Sequence, residues 1–147
     1  MTNLTPRMMK AAMIQKAAKS SHTAPERAFN AYQESRGMNL LWDKLLEFVT
    51  YDPDYFPITF QCDFVHFNGI SLKDEHYDID YEIDGEKFHS SGRQKRKDDW
   101  KDKIKARAGI KVIHIPAAVT AKRFWPYLDT EIKKALESKE MIIHIAG

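Results

Sequence analysis

The sequence predicts a single α/β domain, a mixed central β-sheet flanked by helices, with an extra helix at the N-terminal end. Three observations carry this expectation. The 147 residues suffice for one domain with a real core. Apolar residues recur at helical spacing in the first third of the chain. From Pro57 they switch to strict alternation, and the second half then orders itself as strand, helix, strand, helix.

Each element has its own signal. Thr5-Pro6 reads as an N-cap and first helical residue, so a basic helix is expected from about Pro6 to Ala18. Thr23-Ala24-Pro25-Glu26 is a capping box, and a second helix is expected to run to Arg36 and stop at Gly37, burying Phe29 and Tyr32. Asn39 can cap a short third helix carrying Leu41, Leu45, Phe48 and Val49, before turn chemistry at Tyr51-Asp52-Pro53-Asp54. Pro57 to Phe67 alternates as a strand, and Asn68-Gly69 is a hairpin turn signal. Tyr77 to Asp84 alternates again. Gln94 to Ala108 looks helical, with Trp100, Ile104 and Ala108 as a narrow apolar stripe, and Gly109 stops it. Lys111 to Ile115 is a short buried strand. Thr120 to Ser138 is expected as the last helix, with Phe124, Leu128, Ile132 and Leu136 spaced four apart, and Met141 to Ile145 as a final strand.

Composition narrows the class. No apolar run approaches the ~18 residues of a membrane span, so no membrane partner is expected. The start of the chain lacks the apolar core of a signal peptide. A single cysteine, Cys62, excludes an internal disulfide framework, and a cytoplasmic location is the expectation. Net charge is only +2, but it is segregated. The stretch 72–86 is acidic, whereas the stretch 93–111 and the first 36 residues are basic. An acidic cluster between basic surfaces suits a polyanion that must meet a cation. Solvated faces are the plainer reading of any one charge run.

In the alternating segment Tyr77, Ile79, Tyr81 and Ile83 share one face, so Asp78, Asp80, Glu82 and Asp84 share the other. Four like charges on one face call for water, partners or a metal. An exposed edge strand with wet acids is one reading. The other is a hard-cation site for Mg²⁺, with Asp63 on the preceding strand as a further ligand.

The run Tyr81-Glu82-Ile83-Asp84-Gly85-Glu86-Lys87-Phe88-His89 resembles the core of the very-short-patch-repair endonuclease branch of the PD-(D/E)XK, or restriction-endonuclease-like, superfamily. Thr23-Ala24-Pro25-Glu26-Arg27, Cys62-Asp63-Phe64 and the span from Arg96 to Ile115 resemble its first helix, its metal-binding hairpin strand and its following helix and strand. The resemblance covers about residues 20–116. It implies one nuclease domain over 1–147, with 1–20 as a basic helical extension and 117–147 as a C-terminal helix and strand. The sequence departs from the pattern where Asp84 takes the usual lysine position, where the interval from Asp63 to Glu82 is long, and where 38–56 looks like an insertion. Asp78 or Asp80 can replace Asp63 as first ligand, and the zinc ligands of the repair enzyme have no counterpart.

What the resemblance implies is a Mg²⁺-dependent DNA endonuclease, with Mn²⁺ able to substitute. The expected metal ligands are Asp63, Glu82 and Asp84; His89 would assist proton transfer, and Glu26 would orient water or a second ion. Glu26 also has a purely structural reading, as the third residue of the capping box. Lys87, Arg93, Lys95, Arg96 and Lys97 follow the site and are candidate phosphate contacts, with a solvated helix as the competing reading. His66, His76, His114 and His144 read as structural or solvated. Trp100 reads as helix core. A homodimer is compatible with this reading. The alternative is a catalytically inactive DNA-binding module of the same fold.

Overall fold

The computed structural model describes residues 22–48, 58–67, 77–85 and 92–147. The helix expected at 6–18, the Asn68-Gly69 turn, Lys87 and His89 lie outside the described residues. Within them the chain forms α1 (Ala24–Ser35), β1 (Leu40–Phe48), β2 (Ile58–Phe67), β3 (Tyr77–Asp84), α2 (Gly92–Arg107), β4 (Lys111–Pro116), two 3₁₀ turns (Ala117–Val119 and Lys122–Phe124), α3 (Trp125–Glu137) and β5 (Ile142–His144).

The sheet is mixed, as expected. Its strand order is β1-β2-β3-β4-β5. The first three strands pair antiparallel, and β4 and β5 join in parallel through the crossover helices α2 and α3. The capping box at α1 is complete: the Thr23 N–H and hydroxyl donate to Glu26 Oε1 at 3.0 and 2.8 Å, and the Glu26 N–H donates to the Thr23 hydroxyl at 3.3 Å. Gly37, at φ +63°, takes the left-handed turn after the helix.

Two expectations are corrected. The segment from Leu40 to Phe48 is a strand at the sheet edge, not a third helix. It pairs with β2 from Leu40↔His66 to Phe48↔Ile58. Its apolar residues fit either period, and the open edge of β2 decides between them. Asn39, at φ 55°, cannot serve as an N-cap, which needs extended backbone. Leu40 is buried and Leu41 exposed, as alternation requires. The last helix begins at Trp125 rather than Thr120. Pro126 is tolerated only in a first turn, so the chain before it runs through 3₁₀ turns instead. Its buried stripe is Leu128, Ile132 and Ala135, leaving Leu136 exposed. Lys111 donates to the carbonyls of Ala135, Leu136 and Ser138, satisfying the end of α3.

The two sheet faces differ sharply. Phe64, Tyr81, Ile113 and Ile115 face one way and form the core with Phe29 and Tyr32 of α1 and Leu128 and Ile132 of α3. Phe29 meets Phe64 edge-on at 5.0 Å between ring centroids. Burying each such side chain contributes roughly 1.5–3 kcal/mol. The opposite face carries Asp80, Glu82 and His114, which the register sets side by side (Asp80↔Val112, Glu82↔His114), and α2 supplies the polar groups that meet them. No helix among the described residues is long and apolar enough to cross a membrane.

Candidate functional site

Alternation along β3 puts Asp80, Glu82 and Asp84 on the α2 side of the sheet. The β2–β3 ladder pairs Phe64 with Tyr81. Just before Phe64, Asp63 reaches across: its Oδ2 accepts the Ile83 N–H at 2.8 Å. From α2 the ammonium of Lys105, 4% exposed, donates to Asp80 Oδ2 at 2.7 Å and to Glu82 Oε1 at 2.8 Å. Asp80 and Glu82 thus share one buried lysine, Asp63 interacts with Glu82 beside them, and the other Asp80 oxygen, Oδ1, is buried with no hydrogen-bond partner among the described residues.

The electrostatics follow from that imbalance. Burial pushes the carboxyls of both Asp63 and Asp80 well above the ordinary aspartate range, and the neighbouring Glu82 pushes them further. Burial acts on Glu82 in the same direction, but Lys105 and hydrogen bonds from Asp80, Lys105 and Asp63 hold it below its ordinary value. Lys105, which burial alone would lower, is raised by Glu82 and Asp80. The raised Asp63 and Asp80 carboxyls favour their protonated forms, so a further cation would compete with protons for them. Its oxygen donors fit a hard divalent ion such as Mg²⁺, and the unpartnered Asp80 oxygen supports that fit. Cys62 Sγ lies within 4.8 Å of ligand oxygens of Asp80 and Glu82, but burial raises its thiol, so it stays protonated and is a poor ligand.

Beside the cluster lies a cavity of about 220 Å³, lined by Glu82, Asp84, Lys101, Asp102, Lys105 and His114 among others. His114 is clamped between two acids. Its Nδ1 is 3.1 and 3.0 Å from the two Asp84 oxygens, and its Nε2 is 2.7 Å from Asp102 Oδ2. Burial would lower this imidazole, yet the hydrogen bonds to Asp102 and Asp84 push it up to about 10. The His144 ring stacks on it, with centroids 4.3 Å apart.

Of the expected site residues, Asp63 and Glu82 come together as anticipated. Asp84 stands at the same cavity, but its carboxylate engages His114. Asp80, weighed as a replacement ligand, is at the centre of the cluster. The Glu26 carboxylate is committed to Thr23, and Glu26 does not line the cavity. Arg96 and Lys97 are exposed on α2, as phosphate contacts would need; Arg93 and Lys95 lie in its first turn. Trp100 is corrected from helix core to an exposed position. His114, expected to be structural or solvated, is buried in a carboxylate clamp at the cavity.

Lys105 and Asp102 were not singled out by the sequence. A signal was present: Asp98, Asp102 and Lys105 recur at i, i+4 and i+7, one face of a helix. The buried face of α2 is polar, so a search for an apolar stripe passes over it. No model of a protein family, no curated protein and no solved structure matches this chain.

Proposed function

We propose that this chain is a divalent-cation-dependent DNA endonuclease whose centre is formed by Asp63, Asp80, Glu82 and Lys105. The observation that carries the reading is the buried Lys105 ammonium shared by Asp80 and Glu82, with Asp63 against Glu82, where Glu82 and Lys105 open onto a cavity. The resemblance around Glu82 and Asp63 implies a lysine beside the acids, yet Asp84 stands at its strand position. Lys105, arriving from α2, supplies an ammonium there instead.

Asp63, Asp80 and Glu82 are the residues that would hold the cation. Mg²⁺, or Mn²⁺ in its place, supplies Lewis-acid stabilisation of charge developing on a phosphodiester. Lys105 would offset the negative charge of an incoming phosphate, and its third proton would be available to orient a hydrolytic water. The exposed Arg96 and Lys97 give DNA a basic approach along α2. A second reading, a DNA-binding module without activity, draws on the fact that Lys105 already neutralises Glu82 in the closed cluster.

Labelled single-stranded, duplex, mismatched, flap and four-way-junction DNAs, incubated with Mg²⁺, Mn²⁺ or EDTA, separate the two. Metal-dependent cutting that disappears in Glu82→Ala supports the endonuclease. Salt-sensitive DNA binding by the folded protein, with no substrate cut, transfers support to the module.

A further inference from the structure

We propose a second, chemically distinct metal site across β3, β4 and β5, in which Asp84, His114 and His144 bind a borderline divalent transition ion such as Zn²⁺. The three residues come from neighbouring strands, and one ligand atom from each lies within 4.8 Å of the others. His114↔His144 is a register pair of the parallel ladder, so the fold itself delivers both imidazoles to one place.

The geometry around His114 is that of a ligand already oriented. Its Nε2 faces Asp102 at 2.7 Å, from the opposite side to Asp84. A carboxylate holding one imidazole N–H orients the ring and presents the other nitrogen to a metal, which binds there by displacing its proton. That other nitrogen, Nδ1, sits 3.0 and 3.1 Å from the two Asp84 oxygens. Nitrogen and oxygen ligands of one Zn²⁺, each about 2.0–2.2 Å from it, stand about 3.0–3.5 Å apart. The pair is therefore spaced for a common ion, with a proton bridging it in the metal-free state. His144 lies at the exposed end of β5, and one of its ring nitrogens stands within 4.8 Å of the Asp84 and His114 ligand atoms. Asp84 and His114 line the cavity, so a fourth position stays open to solvent or ligand.

This donor set separates the site from the carboxylate cluster. Two imidazoles and one carboxylate favour Zn²⁺, Co²⁺ or Ni²⁺ over Mg²⁺, whereas Asp63, Asp80 and Glu82 offer oxygen only. The inference stands whether or not the chain cleaves DNA.

The test is calorimetric titration of the full chain with Zn²⁺, together with the visible absorption of the Co²⁺ form. We expect one ion per chain at this site. His144→Ala, an exposed change that leaves the core intact, should weaken binding at least tenfold and alter the Co²⁺ spectrum. Asp102→Asn should weaken it about 10–100-fold without removing a ligand. Glu82→Gln should leave it unchanged. The proposal is overturned if the wild type binds no Zn²⁺, or if its affinity and Co²⁺ spectrum are the same in His144→Ala.

Discussion

Replacing Lys105 with Met keeps most of the side-chain volume and removes the charge that holds the carboxylate cluster together. Lys105 is 4% exposed, and its partners Asp80 and Glu82 are 0% and 17% exposed, so water does little to replace it. Removing one member of a buried ion pair costs about 3–5 kcal/mol, because the remaining charge is left unneutralised. For a domain of this size that is a large fraction of total stability. The penalty must depend on pH. Without Lys105 the Glu82 carboxyl rises above its unfolded value, so folding requires it to take up a proton. Linkage then makes the variant's deficit larger at pH 8 than at pH 5, where the proton is readily available. A divalent cation should substitute in part: at about 100 times its dissociation constant it restores about 2.7 kcal/mol. The assay is urea denaturation at both pH values, in EDTA and in MgCl₂. A loss below about 1 kcal/mol, identical at pH 5 and 8 and indifferent to Mg²⁺, would refute the reasoning.

Three other outcomes follow from the same structure. Thr23→Ala removes both hydrogen bonds of the capping hydroxyl, leaving the Thr23 N–H bond to Glu26, and should lower stability by about 0.5–2 kcal/mol in urea denaturation. His114 titrates near 10 when folded, against about 6.5 when unfolded, so its contribution is complete below about pH 6.5 and disappears as pH rises towards 10. The unfolding free energy should therefore fall between pH 7 and 10, by on the order of a few kcal/mol in the wild type and by less in Asp102→Asn. Trp100→Ala, at an exposed position, should change stability by less than about 0.5 kcal/mol in the same assay.

The elements with unambiguous periods were legible in the sequence. α1 was fixed at its start by a capping box and at its end by Gly37; β2, β3 and β4 followed from alternation and from a buried run. β1 was not, because Leu40 to Phe48 satisfies a helical and an alternating pattern alike, and only pairing with β2 chooses between them. The helix before Pro126 failed for a local reason that the sequence did contain. The acidic half of the site was visible because alternation alone gathers Asp80, Glu82 and Asp84 on one face. The basic half was not. Lys105 is one of many lysines on α2, and what distinguishes it is the way α2 lies on the sheet, which no local pattern encodes. His114 escaped for the same reason: its meaning comes from Asp84 and Asp102, 30 and 12 residues away.

The divalent-cation site proposed at Asp63, Asp80 and Glu82 is tested by calorimetric titration of Mg²⁺ into the wild-type chain and into Glu82→Gln, in buffers of different ionisation enthalpy. The expected result is saturable binding with release of protons from Asp63 and Asp80, and loss of that binding in the variant. A wild type that binds no Mg²⁺, or a variant that binds it equally well, would contradict it.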